Sequence, residues 1–140
     1  MITGNLDLFL RLLVAAILGS FIGIERELRG KTAGLRTNML VCIGSALITI
    51  VGMYGFAGAD PARLAAGIIT GIGFLGAGAI IAGGKEVHGL TTAASIWVVS
   101  AIGVAVGAGL YFIAVVTAIL SVLILELWKI EYPREKKKKD

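Results

Sequence analysis

The chain has 140 residues, of which 57% are hydrophobic, and its mean hydropathy is +0.93. Charge is confined to short blocks, so almost the whole chain is available for apolar segments of about 20 residues, the length that spans a bilayer. The net charge of +4 does not indicate nucleic acid, because the basic residues lie beside apolar runs and not along a soluble face. The composition therefore excludes a soluble basic domain and indicates one integral membrane domain.

The apolar pattern predicts an all-α fold, an integral membrane five-helix bundle. The predicted spans are 7–24, 37–54, 62–82, 91–107 and 110–128, so that 1–128 is a transmembrane domain and 129–140 a basic tail. The fifth span has bulky aliphatic residues, no glycine and one acid, Glu126, and we expect it to be peripheral and to face lipid. Gly34-Leu35-Arg36-Thr37 resembles Gly89-Leu90-Thr91-Thr92, 55 residues on, which suggests that spans one and two repeat as spans three and four in parallel orientation.

Glycines dominate the third span, which we predict to be the central helix of the bundle. Small side chains let membrane helices approach closely, and at 100° per residue Gly67, Gly71 and Gly78 share one face of this helix. In the first span, Gly19 and Gly23 continue a four-residue ridge that starts at Asp7. The predicted helix-packing residues are Gly19, Gly23, Gly67, Gly71, Gly73, Gly76 and Gly78.

Hydroxyl and amide side chains form a predicted polar seam. Asn38, Ser45 and Thr49 share one face of the second span, and Thr91 and Thr92 are placed to cap the fourth. Such residues either line a solute path or hydrogen-bond between helices, and the second use is the commoner one.

Charged residues near the span ends are the candidate functional residues: Asp60, Arg63, Arg11, Glu25, Arg26 and Arg36. Asp60 and Arg63 could form a surface pair, joined to Arg11, that fixes the outer end of the third helix or binds an external cation. The alternative for Asp60, which precedes Pro61, is an ordinary helix N-cap. Asp7 and Arg11 are expected to pair near one membrane surface, where they could also simply mark depth.

Basic residues also predict the orientation. Eleven of the 13 basic residues lie in the first loop (25–36), the third loop (83–90) and the tail. This distribution places the amino terminus outside the cell membrane and the carboxyl terminus in the cytoplasm.

No motif in the sequence indicates enzymatic chemistry once its surroundings are considered. Gly71-Ile72-Gly73-Phe74-Leu75-Gly76 matches a dinucleotide fingerprint but lies in the middle of an apolar helix with no preceding strand. His88 is the sole histidine and has no cysteine near it. We expect no enzyme, no catalytic residue and no resident cofactor; magnesium is possible as a ligand, and its ligands are unknown.

Several motifs in order resemble the MgtC/SapB family of bacterial and archaeal membrane proteins, over roughly residues 7–125. They are Arg11-Leu12 with Glu25-Arg26, Ala33-Gly34-Leu35-Arg36-Thr37, Asp60 with Arg63, Gly71 to Gly78, and Gly89 to Ala94 with Trp97. The resemblance implies a five-helix inner-membrane protein linked to growth under magnesium limitation and, in pathogens, to survival inside host cells. It also implies that the functional acid of the family corresponds to Asp60.

Two function classes remain open. A magnesium transporter should show carboxylates within the bundle, whereas the acids of this chain lie near the span ends. A non-transporting protein that interacts with itself, as a homodimer, or with another membrane protein fits the glycine faces better. The expected partners are the lipid bilayer and a second copy, with no nucleic acid.

Overall fold

The computed structural model describes residues 2–56, 58, 60–83 and 86–127. It is an all-α five-helix bundle, as predicted, with one short antiparallel hairpin in which Ile81 pairs with His88. The helices and strands, in chain order, are α1 (Ile2–Leu28), α2 (Leu35–Tyr54), α3 (Pro61–Ala79), β1 (Ile81–Gly83), β2 (Glu86–His88), α4 (Leu90–Gly107) and α5 (Tyr111–Glu126). The predicted tail, 129–140, lies outside the described residues.

Four of these helices, α1 to α4, are long and apolar enough to cross a membrane by length and composition, and α5 is a shorter apolar helix. Large aliphatic and aromatic side chains cover the outside of the bundle, including Phe74 and Phe112, which are both 83% exposed. In water such a surface would be unstable, so a lipid environment explains it. The chain is therefore a multi-pass membrane protein.

The closest helix packing joins α1, α2 and α4. A Cβ atom added at Gly19 would lie 2.8 Å from the carbonyl oxygen of Asn38, and one at Gly23 would lie 2.7 Å from the Cα atom of Leu35. On the other side of α2, Gly103 and Gly107 of α4 lie equally close to its backbone. Glycine at these four positions therefore lets α2 pack between α1 and α4 at backbone distance.

The prediction that the third span is the central helix is wrong. Only Ile68 and Gly76 of α3 are buried, whereas nine residues of α4 are, and α4 packs against each of the other four helices. Glycine spacing predicts that a helix can be approached closely, but not whether its own chain supplies the neighbour. α3 also ends at Ala79, three residues before the predicted end of the span, because the next residues form the hairpin.

The fifth helix packs on α1 and α4 through Ala114, Ala118 and Leu125, and most of its other side chains are exposed. This is the peripheral position that its bulky, glycine-free sequence predicts.

The prediction that side chains cap α4 is also wrong. Thr91 and Thr92 were expected to cap this helix, but it begins at Leu90 and its N-cap is Gly89, which provides no side-chain hydrogen bond. Gly89 has φ of +89°, a left-handed conformation that glycine adopts without strain. Both threonines consequently lie inside the first turn of α4.

Candidate functional site

A cluster of charged side chains joins the ends of α1 and α5. Glu25 accepts hydrogen bonds from Nε of Arg26 and, at 3.1 Å, from Nε of Arg29. A second ion pair, 2.9 Å long, joins Arg29 to Glu126 in the last turn of α5. Glu25 is only 7% exposed and Arg26 only 3%. Buried charges are stable only when they are paired and hydrogen-bonded, so this cluster fixes the end of α5 to α1.

Arg36, another of the predicted functional residues, does not join the cluster. It is exposed and borders a small cavity of about 270 Å³ with Glu27, Lys31 and Thr37. The carboxylate that binds the backbone here is that of Glu27, whose Oε2 atom accepts a 2.7 Å hydrogen bond from the backbone N–H of Leu35, the first residue of α2. Glu27 thus provides the negative charge that a helix N-terminus favours.

At the opposite end of the bundle, Arg11 connects three helices. Asp7 and Arg11 form the predicted ion pair, with N–O distance of 2.8 Å. Nη1 of Arg11 also donates a 2.7 Å hydrogen bond to the carbonyl oxygen of Gly107, at the end of α4, and the guanidinium lies 5.6 Å from the centre of the Tyr54 ring. The cation therefore neutralises the carbonyl end of α4, where the helix dipole favours positive charge.

Asp60 caps α3, and it is not joined to the two arginines with which it was predicted to act. Its Oδ1 atom accepts a 2.9 Å hydrogen bond from the N–H of Ala62, and Pro61 occupies the first helical position. Among the described residues, no ion pair joins Asp60 to Arg63 or Arg11. Arg11 is held by Asp7 and Gly107, while Arg63 lies in the first turn of α3 and is exposed. The structure therefore separates the predicted outer cluster.

The residues of the predicted polar seam make hydrogen bonds of different kinds, some within or between helices and some to the first loop. Ser45 and Ser100 are hydrogen-bonded across the α2–α4 contact at 3.0 Å, and Thr49 donates to the carbonyl oxygen of Ser45. Nδ2 of Asn38 donates to the carbonyl oxygens of Ala33 and Gly34, which ties the first loop to α2. The Oδ1 atom of Asn38 is buried and accepts no hydrogen bond among the described residues. Within this seam, the Ser45–Ser100 hydrogen bond therefore joins two helices, whereas that of Thr49 stays within α2.

The predicted glycine face of α3 is open. Gly67, Gly71, Gly73 and Gly78 have no neighbouring atom within 4 Å of an added Cβ, and only Gly76 approaches α4, at 3.7 Å from the side chain of Ala93. Gly67 and Gly71 line an apolar groove of about 560 Å³ between α2 and α3, with Arg63 also among the residues that line it. Four of the five glycines in α3 are therefore available to another molecule.

Metal ligands are not gathered at any of these positions. Within the described ranges, no group of three or more histidine, cysteine, aspartate or glutamate side chains could hold a metal ion. Cys42 is a free thiol buried against α1.

Comparison with known proteins identifies the family. The model of the MgtC family matches residues 12–131, which include most of the bundle. The chain belongs to the MgtC family. This match confirms the resemblance that the sequence motifs indicated.

Relatives within this family are similar over the membrane bundle. The protein named "Putative magnesium transporter YhiD" of Escherichia coli K12 is 46% identical over 130 residues, which are 87% of this chain and 60% of that protein. The protein named MgtC of Brucella abortus is 44% identical over 110 residues, 79% of this chain and 46% of its own length. The chain thus spans about three fifths or less of these curated relatives. No solved structure matches it.

Several contacts of the candidate site in this MgtC family chain have no signal in the sequence alone. Arg29 and Glu126 are 97 positions apart, so their pairing depends on how α1 and α5 pack. Likewise, the Tyr54 ring reaches Arg11 only because α2 follows α1. Glu27 could have been found: an acid seven residues before a Gly-Leu helix start is a candidate cap from the loop.

Proposed function

We propose that this chain is a non-enzymatic membrane protein of magnesium homeostasis or adaptation to low magnesium, and that it acts by association with a second copy of itself. The observation that carries this proposal is the open glycine face of α3. The other close-packing glycines of the chain, on α1 and α4, are already occupied by α2. An interface between copies would consequently use α3.

The names of the relatives supply the connection to magnesium. YhiD of Escherichia coli is named a putative magnesium transporter, and the family takes its name from MgtC. We place the chain in the inner membrane of a bacterial or archaeal cell, with its amino terminus outside, because the first loop and the tail carry most of the basic residues.

The geometry of α3 supports self-association. Gly67 and Gly71 are separated by one helical turn, so two copies of α3 related by a twofold axis could pack with their backbones close together. The groove between α2 and α3 adds apolar surface beside these glycines, including Leu64, Ile68 and Leu75. Such a contact would bury the part of the bundle that is least buried in the single chain.

Magnesium transport is the second candidate function, and the name given to YhiD favours it. Against it, the side chains at membrane depth hydrogen-bond to one another or to the backbone, as Ser45, Ser100 and Thr49 do. A hydroxyl that is used in this way is already engaged and is a poor ligand for a strongly hydrated ion.

Flux measurements separate the two candidates. Purified protein in liposomes that contain a magnesium indicator dye should show no more flux than empty liposomes if the chain acts by association. Asp60→Asn is the matched variant, since asparagine keeps the helix cap and removes the charge. Flux from wild type that this substitution abolishes would establish transport instead.

Association is tested on the same preparation. Gly71→Leu should convert the dimer to a monomer in light scattering from detergent micelles, because the larger side chain fills the proposed contact. Gly73→Leu is the control, since Gly73 is equally unobstructed but lies roughly opposite on α3. Equal oligomeric states of both variants and wild type would contradict the proposal.

A further inference from the structure

Two helices of this chain begin with the same motif at the same end of the bundle. Gly34 is the N-cap of α2 and Gly89 the N-cap of α4, and neither provides a side-chain hydrogen bond. The first backbone N–H groups of any helix lack intrahelical acceptors and carry partial positive charge, so each of these ends favours an acceptor, preferably an anion.

At α2 the chain supplies that anion itself. The carboxylate of Glu27 accepts the N–H of Leu35, as described above. The position equivalent to Glu27 in the second motif, 55 residues on, is Ala82, which has no acceptor in its side chain. The carboxylate that serves the start of α2 is therefore absent from the equivalent position before α4.

At α4 the corresponding N–H groups have no acceptor among the described residues. The first helical hydrogen bond runs from the N–H of Ala93 to the carbonyl oxygen of Gly89, which leaves those of Leu90, Thr91 and Thr92. A capping side chain could not replace Gly89, because its φ is +89° and an added Cβ would collide with the carbonyl oxygen of Ala79. The fold thus excludes a capping side chain at position 89 itself.

Thr92 supplies an independent observation. The residue is only 3% exposed, it lines the cavity in front of α4, and its hydroxyl makes no hydrogen bond among the described residues. The hydroxyl oxygen is not among the fully enclosed side-chain atoms that lack a partner, so it is accessible from the cavity that the residue lines. A side chain that is almost wholly buried and presents an unpartnered hydroxyl to a cavity indicates a ligand there.

The cavity in front of α4 is polar and suited to an anion. Its volume is about 500 Å³, within the range of about 300–1,000 Å³ typical of small-molecule sites. Hydroxyls of Thr32, Thr91 and Thr92 and the cation of Lys31 are on its lining, together with His88. None of the described residues that line it is acidic.

We propose that the N-terminus of α4 binds a phosphate group in this cavity. The backbone N–H groups of Leu90 to Thr92 and the hydroxyl of Thr92 donate hydrogen bonds to its oxygens, and Lys31 contributes charge. This is the arrangement by which helix N-termini bind phosphate in general. The group belongs either to a free or small-molecule phosphate or to the headgroup of a lipid at the membrane surface.

Binding is measured with the full chain in nanodiscs of neutral phosphatidylcholine, titrated with inorganic phosphate by calorimetry at constant ionic strength. Wild type should bind saturably. Thr92→Val removes the hydroxyl with little change of shape and should weaken phosphate binding about tenfold, because hydrogen bonds to charged groups are strong. Thr92→Ser keeps the hydroxyl and should bind as wild type does.

The matched control is Thr37→Val, at the equivalent position of α2, where Glu27 already serves the helix end. It should leave phosphate affinity unchanged. Lys31→Met should weaken binding less than Thr92→Val and make it less sensitive to salt. Circular dichroism of each variant confirms that the bundle is intact. Equal phosphate affinity of the Thr92→Val variant and wild type would overturn the proposal.

Lipid composition distinguishes the two sources of phosphate. If the headgroup is the ligand, wild type should retain phosphatidic acid or phosphatidylglycerol in native mass spectrometry, and Thr92→Val should lose it, while inorganic phosphate fails to bind in neutral nanodiscs. Saturable binding of inorganic phosphate in neutral nanodiscs identifies the free ion or a small phosphate compound. If neither ligand binds in a way that depends on Thr92, the site does not exist.

Discussion

The α1–α2–α4 contact and the free face of α3 use the same residue at the same spacing with opposite results. Gly19, Gly23, Gly103 and Gly107 leave no room for a side chain, whereas Gly67 and Gly71 have no neighbour at all within 4 Å of an added Cβ. The first region also contains the paired hydroxyls, and the buried charges lie on α1 at its edge, where α5 joins it. Glycine at intervals of four therefore indicates a contact surface, and the rest of the fold decides whether the chain or another molecule fills it.

The largest loss of stability is expected when Glu25 is replaced. Replacing it with glutamine leaves Arg26 and Arg29 without their shared carboxylate in a buried position, which costs about 3–5 kcal/mol in the free energy of unfolding. Unfolding in mixed micelles with increasing sodium dodecyl sulfate, followed by circular dichroism, measures it. Arg36→Gln, exposed in the first turn of α2, is the control and should change stability by under about 0.5 kcal/mol.

The next effect compares a packed glycine with an open one. Gly103→Ala introduces a Cβ against the backbone of Cys42 and should destabilise the bundle by about 1–3 kcal/mol. Gly73→Ala meets no atom, lies off the proposed contact between copies and gains helix propensity of up to about 1 kcal/mol, so it should be neutral or stabilising. The same unfolding experiment applies, and a loss of similar size in both variants would remove the distinction between the two faces.

Hydroxyl groups should show a smaller contrast. Ser100→Ala removes the partner of Ser45 across the α2–α4 contact and should cost about 0.5–1.5 kcal/mol. Thr70→Ala on α3 removes a hydroxyl that bonds only to the backbone of its own helix, at Ala66, and should change stability by less than about 0.5 kcal/mol. Reversal of this order would mean that the α2–α4 hydrogen bond contributes nothing.

The smallest effect on stability is expected at Asp60. Asparagine is as good an N-cap as aspartate, so Asp60→Asn should cost less than about 1 kcal/mol in the unfolding experiment. A larger loss would show that the charge of Asp60 interacts with a group beyond the Ala62 N–H.

Much of the fold could be predicted from the sequence because hydropathy and charge blocks depend on local composition. Five helices and the membrane class follow from the apolar runs, and the Asp7–Arg11 pair follows from a spacing of four. Asp60 before Pro61 likewise predicts the cap that the structure has.

What could not be predicted depends on tertiary packing. The density of glycine in α3 suggested a central helix, but burial is set by which helices lie beside one another, and α4 took that position. The charge cluster required α5 to bring Glu126 to Arg29, which no local pattern encodes. Gly89 replaced the threonines as the cap of α4 because the hairpin brings the Ala79 carbonyl against it.

Cysteine crosslinking at the open face of α3 tests the proposed association most directly. Gly71→Cys, expressed in native membranes and oxidised with copper phenanthroline, should form a disulfide-linked dimer, while Cys42 is buried and leaves a low background. Gly73→Cys, open but on the other side of α3, should remain monomeric. Monomer from both variants, or equal crosslinking of the two, would contradict the account that the Gly67 and Gly71 face joins two copies.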